Sequence, residues 1–121
     1  MLSNVETFSS FAVDDLVTAK RFYTDALGLT AEQDGMLLTL HLAGGRRAVL
    51  YKTGDHTPAD FTVLNFVVDD IDAVVDGLTE RGVVFERYPE FEMDEKGIHR
   101  EQNVAWFKDP AGNTLSVVLA R

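Results

Sequence analysis

Residues 11–29 read FAVDDLVTAKRFYTDALGL, and this stretch decides the fold. A short apolar run ends at Asp14 and Asp15, whose carboxylates can accept hydrogen bonds from the first free amides of a helix. Apolar residues then recur at helical spacing, and Gly28 stands where such a helix would end. The stretch therefore predicts a strand followed by an amphipathic helix.

The same pattern begins again at residue 66, as FVVDDIDAVVDGLTERG. FAVDDL at residue 11 and FVVDDI at residue 66 superpose at an offset of 55 residues, which indicates an internal duplication. After each helix the alternation of apolar residues predicts three further strands, at about 29–33, 36–43 and 47–53, and at about 83–88, 103–108 and 114–120. The prediction is an α+β fold of two tandem βαβββ modules.

The chain length of 121 residues fits one domain. We expect module one at about 5–53, a connection rich in turn-forming residues at 54–60, and module two at about 61–121. The closing turn, DPAGN at 109–113, predicts a tight hairpin between the last two strands.

Composition limits the partners. A net charge of −9 argues against nucleic acid and anionic membranes and favours a neutral or cationic small ligand. No apolar run reaches the ~20 residues that cross a bilayer. The chain contains no cysteine and begins without the features of a signal peptide, so we expect a cytoplasmic protein.

Three features of the chain point to a known family: the duplicated unit, FYTDALGL at 22–29 and FKDPAGN at 107–113. Together they resemble the vicinal oxygen chelate superfamily, which includes glyoxalases, bleomycin resistance proteins and extradiol dioxygenases. The resemblance covers nearly the whole chain. It implies that the modules form an open, curled mixed sheet around a cavity.

The resemblance also implies where a divalent metal would bind in the enzymes of this superfamily. The positions that correspond to metal ligands are Phe8, Val63 and Ser116, with a fourth at Val49 or Tyr51. Divalent ions prefer carboxylate oxygens or imidazole nitrogens, and these side chains offer neither. We therefore expect no metal and no other cofactor.

Six residues are candidates for the binding site. Strand alternation directs Ser10, Asn65 and Ser116 towards the implied cavity, and His41 to the face opposite Leu38 and Leu40. Tyr51 and Trp106 could form aromatic walls. Purely structural alternatives stay open: His41 could be solvated, the Asn65 amide could bond to neighbouring backbone, and the two aromatic rings could only fill the core.

Residues 88–103, which we name the acidic loop, combine apolar side chains with many carboxylates. The loop could close the cavity mouth or contact another subunit, or it could be a solvated connection.

These features favour a metal-independent small-molecule binding protein of the glyoxalase/bleomycin resistance type, and we expect a homodimer because open sheets expose strand edges. No catalytic constellation is recognisable, which argues against an enzyme. Two alternatives remain. One is a metal-independent isomerase or lyase that uses His41 or Tyr51, and the other is a partner-binding module whose cavity is plugged by side chains such as Phe8.

Overall fold

A computed structural model describes all 121 residues and has the predicted α+β architecture. Two helices and seven strands follow one another as β1 (Ser9–Val13), α1 (Leu16–Arg21), β2 (Thr30–Asp34), β3 (Leu37–His41), β4 (Arg47–Lys52), β5 (Thr62–Val68), α2 (Ile71–Glu80), β6 (Val104–Lys108) and β7 (Thr114–Leu119). Helix α1 continues into a π-helical turn at Phe22–Ala26, and a short 3-10 turn at Ala43–Gly45 joins β3 to β4. No helix is long and apolar enough to span a bilayer.

The chain divides into two compact units, Met1–His56 and Thr57–Arg121. The first unit contains a four-stranded sheet in the order β1-β4-β3-β2, with β1 parallel to β4 and the other pairs antiparallel. The second contains a three-stranded sheet in the order β5-β7-β6, with β5 parallel to β7 and β6 antiparallel to it. Both sheets are open.

The duplicated sequence yields duplicated helix starts. Asp15 caps α1 by accepting hydrogen bonds from the amides of Val17 and Thr18, at 2.9 and 3.1 Å. Asp70 caps α2 in the same way, with the Ala73 amide at 3.0 Å. These bonds satisfy amides that have no partner inside the helix. The repeated aspartate therefore fixes where each helix begins after the strand that precedes it.

Strand alternation sorts core from surface in both sheets. In the first unit Val13, Leu38, Leu40, Ala48 and Leu50 are fully buried. In the second unit Ala105, Phe107, Leu115 and Val117 are buried, and Ile71 and Val75 of α2 are buried too. One face of each sheet thus supplies the core of its own unit.

The strand expected at 83–88 is reduced to a single bridge between Phe85 and Phe107. The two rings meet edge to face, with centroids 5.6 Å apart. Gly97 of the acidic loop lies so close to Phe85 that a Cβ on the glycine would come within 2.9 Å of the phenylalanine Cβ. The loop packs over Phe85, and Pro89 beyond it has no amide with which to extend a ladder.

The turn between β6 and β7 is built on a buried carboxylate. Asp109 Oδ1 accepts hydrogen bonds from the amides of Ala111 and Asn113, at 3.0 and 2.9 Å. Asn113 Oδ1 in turn accepts from the Ala59 amide at 3.1 Å. Gly112 has a φ of +86°, and a Cβ there would lie 2.9 Å from Cγ of Pro58. The DPAGN motif thus forms the hairpin turn and also holds residues 58–59 against it.

We expect Gly112→Ala to destabilise the protein by about 1–3 kcal/mol, because alanine disfavours a positive φ and its methyl group would overlap Pro58. Gly77→Ala is the matched control. Gly77 lies inside α2 with open space around its Cβ position, so alanine should stabilise by about 0.5–1 kcal/mol. Urea unfolding measures both changes, and equal effects of the two variants would contradict this account of the turn.

Candidate functional site

Three of the predicted site residues lie side by side on the second sheet. Asn65 of β5 pairs with Ser116 of β7, and Ser116 pairs with Trp106 of β6. Directly paired residues point to the same face of a sheet, so the three side chains form one row across it. This face is opposite to the one that carries Leu115 and Val117 into the core.

Ser116 and Asn65 are joined by a hydrogen bond. Ser116 Oγ donates to Asn65 Oδ1 at 2.5 Å. Ser116 is fully buried, whereas Asn65 is exposed on the sheet face. The serine is therefore a buried support, and the asparagine is the group that a ligand could reach.

Trp106 belongs to an aromatic cluster. Phe91 stacks on it with centroids 5.4 Å apart and an angle of 19°, and Tyr88 meets it edge to face at 5.5 Å. The His99 ring lies 4.9 Å from Phe91 and 6.3 Å from Trp106. Offset stacking and edge-to-face contacts are the favoured geometries for such rings. The indole is held from several sides by the acidic loop.

His99 is a member of this cluster that the sequence did not single out as a site residue. It is only 4% exposed. Its Nδ1 lies 2.9 Å from the Glu92 carbonyl oxygen, which can only accept, so Nδ1 carries the proton. Its backbone exchanges hydrogen bonds with Val104 at the start of β6. The apolar residues of the acidic loop were the one sequence signal that this segment packs on the sheet.

An ion-pair network anchors the acidic loop to α2. Arg100 donates two hydrogen bonds to the Asp72 carboxylate, at 2.9 and 2.7 Å, and a third to Asp94 at 2.7 Å. Lys96 bridges Asp72 at 3.2 Å and Asp76 at 3.0 Å. Ile98, between these two cations, is fully buried. The middle of the loop is thus fixed to its own unit rather than left as a solvated connection.

The network shifts the ionisation of its members. Hydrogen bonds from Arg100 and then Lys96 hold the pKa of Asp72 well below its usual value. Burial would raise the pKa of Asp94, but hydrogen bonds from the Ile98 amide and Arg100 outweigh it, so that pKa is lowered too. The carboxylates stay charged at neutral pH. Much of the network is exposed, so it fixes geometry more than it adds stability.

A pocket of about 560 Å³ opens beside the row of Asn65 and Trp106. Its size is within the range of small-molecule sites. The strands contribute Val104 and Val118, and the loop contributes one carboxylate and two amides; the full lining is Asn65, Glu101, Gln102, Asn103, Val104, Trp106, Val118, Leu119, Ala120 and Arg121. Gln102 and Asn103 are polar lining residues that no motif in the sequence marks.

Ser10, His41 and Tyr51 lie in the first unit. They share the face of the first sheet opposite Leu38, Leu40 and Leu50, because Ser10 pairs with Val49 and Ala12 with Tyr51. His41 is at the end of β3, with its Nε2 3.3 Å from a carboxylate oxygen of Glu32. These three residues are exposed, and they do not line the pocket of the second unit.

The chain belongs to the Glyoxalase/Bleomycin resistance protein/Dioxygenase superfamily, whose sequence profile matches residues 7–117. This confirms the resemblance and the fold that it implied. No curated protein matches the chain as a relative.

Solved structures agree with this assignment. TnmS3, an antibiotic binding protein from a Streptomyces species, is 25% identical, with 98% of each chain covered and a TM-score of 0.68. A superfamily member from Sphaerobacter thermophilus is 27% identical, with 96% of this chain and 98% of the other covered and a TM-score of 0.70. A lactoylglutathione lyase from Agrobacterium tumefaciens shares the fold at 21% identity and a TM-score of 0.68, with 97% and 94% covered.

The residues present do not fit the metal ion of the superfamily's enzymes. By resemblance the ligand positions carry Phe8, Val63, Ser116 and either Val49 or Tyr51, and the hydroxyl of Ser116 is already engaged with Asn65. No three His, Cys, Asp or Glu side chains in the chain are grouped so that they could hold an ion. This donor set is poor for any divalent cation.

We expect Asp72→Asn to lower the melting temperature by a few degrees at pH 7, because it removes the carboxylate that Arg100 and Lys96 share. A carboxylate with a lowered pKa stabilises the folded state above its unfolded pKa of about 4, and that contribution is lost as the pH falls below it. The gap between parent and variant should therefore shrink progressively as the pH falls below about 4.

Asp76→Asn is the control, since it removes only one bond to Lys96. Its effect should be smaller at every pH. A pH-independent gap for Asp72→Asn in thermal melts would contradict the ionic origin of the anchor.

Proposed function

We propose that the protein binds a small organic molecule without the help of a metal ion, in the pocket of the second unit. The observation that carries the proposal is the convergence of Asn65 and Trp106 on a pocket of about 560 Å³. An aromatic wall combined with a few fixed polar groups is typical of small-molecule sites. The name of the 25% identical TnmS3, an antibiotic binding protein, supports the same class of function.

The chemistry of the lining favours a largely planar, neutral or cationic ligand. Trp106 offers a ring that Phe91 and Tyr88 hold in place, so little entropy is lost when a flat molecule stacks on it. The chain carries a net charge of −9, and Glu101 lies in the pocket itself. Both disfavour an anion, although Arg121 offsets part of that charge locally.

Binding without chemical conversion is favoured by the absence of an acid–base pair among the lining residues. Glu101 is the one carboxylate there, and no histidine lines the pocket. General acid–base catalysis needs titratable groups placed on the reacting atoms. The first unit's Ser10, His41 and Tyr51 remain proposed ligand contacts of its exposed sheet face.

Trp106 is the single tryptophan of the chain, so its fluorescence reports directly on this pocket. We expect flat aromatic antibiotics and related heteroaromatic molecules, neutral or cationic, to change this emission with dissociation constants on the order of 1–100 μM. EDTA should leave the binding unchanged. Trp106→Leu, followed by calorimetry, should weaken binding about tenfold or more.

Val84→Ala is the control, because Val84 is 79% exposed and lies outside the pocket. It should bind like the parent. The proposal fails if no such molecule perturbs Trp106, or if EDTA abolishes binding and elemental analysis finds one metal ion per chain.

We also propose that the protein is a homodimer acting in the cytoplasm. Both sheets are open, and large apolar side chains are exposed, among them Phe8 (56%), Phe61 (66%) and Val67 (67%). Open edges and apolar patches are usually covered by association. Sedimentation equilibrium at micromolar concentration should give twice the 13.4 kDa of the chain, and a clean monomer would refute this.

A further inference from the structure

We infer that Ser116 orients the Asn65 carboxamide so that its NH₂ group faces the pocket, and that the ligand carries a neutral carbonyl oxygen to receive it. The inference rests on the proposed function and deepens it, because it names the chemical group that the pocket recognises.

The orientation of the amide follows from the burial of Ser116. The Ser116 hydroxyl is fully buried and its hydrogen-bond partner is Asn65 Oδ1, at 2.5 Å. A carboxamide oxygen can only accept, so the serine donates. If the amide were turned round, its NH₂ group would face the serine and the buried hydroxyl would have no acceptor. Buried donors without acceptors are strongly disfavoured.

The Asn65 Nδ2 is consequently the end that is presented to the pocket. Asn65 is exposed and lines the pocket, and Ser116 is its side-chain hydrogen-bond partner. Two N–H donors therefore point towards the space that a ligand would occupy. A donor pair of this kind selects a ligand acceptor and rejects a ligand donor.

The type of acceptor follows from the surrounding charge. The carboxylate of Glu101 is balanced in the lining by the guanidinium of Arg121, so the unfavourable field for a carboxylate or phosphate on the ligand comes from the net charge of −9 of the chain as a whole. A neutral carbonyl of a ketone, amide or lactam avoids that cost. The carbonyl oxygen can still accept a hydrogen bond from Asn65 Nδ2.

The distance between anchors gives the ligand's shape. Asn65 and Trp106 lie on either side of Ser116, on strands two positions apart in the sheet. Neighbouring strands are about 4.8 Å apart, so the two anchors are separated by roughly 10 Å. A fused aromatic system with a carbonyl on its edge can stack on the indole and reach the amide together.

Fluorenone and fluorene test this directly, because they have the same flat skeleton and differ by a carbonyl in place of a methylene. Titration followed by Trp106 fluorescence should show fluorenone binding the parent about tenfold or more tightly than fluorene. In Asn65→Asp the exposed donor becomes an acceptor while Ser116 can still donate. The preference for fluorenone should then disappear.

Ser116→Ala tests the orientation of the Asn65 amide separately from the contact between that amide and the ligand. It leaves Asn65 in place and removes the hydroxyl that fixes it, so the preference for fluorenone should fall by about threefold or more without being abolished. NMR of the ligand-free protein gives an independent check. The Asn65 side-chain carbonyl ¹³C resonance should move upfield in Ser116→Ala, since it loses its hydrogen bond.

The outcomes distinguish this inference from the proposed function. Equal binding of fluorenone and fluorene to the parent would leave the aromatic pocket standing and overturn the donor assignment. An unchanged preference in Asn65→Asp would overturn it as well. Failure of both probes to bind, in a folded protein, would overturn the proposed function and this inference together.

Discussion

The arrangement of the site depends on the buried carboxylate of Asp109. It accepts hydrogen bonds from two backbone amides of its own turn, and its Oδ2 accepts from the Asn113 side chain at 3.2 Å. This turn sets the register of β6 against β7. A slip of one residue would move every side chain of a strand to the other face of the sheet. Trp106 and Ser116 share a row because the turn joins β6 and β7 in this register.

From that register the rest of the second unit follows. Strand β7 is central and parallel to β5, so Ser116 is flanked on one side by Trp106 and on the other by Asn65. Its hydroxyl is buried between them and is satisfied by the asparagine. A turn of five residues thereby determines which groups meet at the pocket, although none of the five lines it.

The parts of the fold that the sequence could predict are those set by interactions between residues close together in the chain. Helix starts at Asp15 and Asp70, turns at glycines, and the alternation that buries Leu38 and Leu40 all depend on neighbours within a few residues. The fold class and the strand positions in the first module are such features and were confirmed. The prediction of a strand at 83–88 was wrong, because only Phe85 forms a bridge there and the acidic loop packs over it.

The acidic loop could not be predicted for the same reason. Its position is set by Asp72, which is 24 residues from Lys96 and 28 from Arg100 in sequence. No periodicity signals such pairs, so the charged run looks like solvated surface. The rings of His99 and Phe91, which lie in the same loop, contact one another and stack on Trp106. Strand alternation directed Asn65 and Ser116 to one face, and the register of the sheet places Trp106, proposed only as an aromatic wall, in the same row; a binding role for the three stays a prediction.

The burial of Ser116 also explains why the polar residues of the row, Asn65 and Ser116, are uncharged. By resemblance, its position corresponds to the glutamate that holds the metal in the superfamily's enzymes. The side chain here is fully buried. A carboxylate at such a place, without a cation beside it, would pay a large desolvation cost or take up a proton. A hydroxyl that donates to a neighbouring amide is satisfied without any charge. Once the other ligand positions carry phenylalanine and valine, a neutral hydrogen-bonded pair is the polar arrangement that this site can bury at least cost.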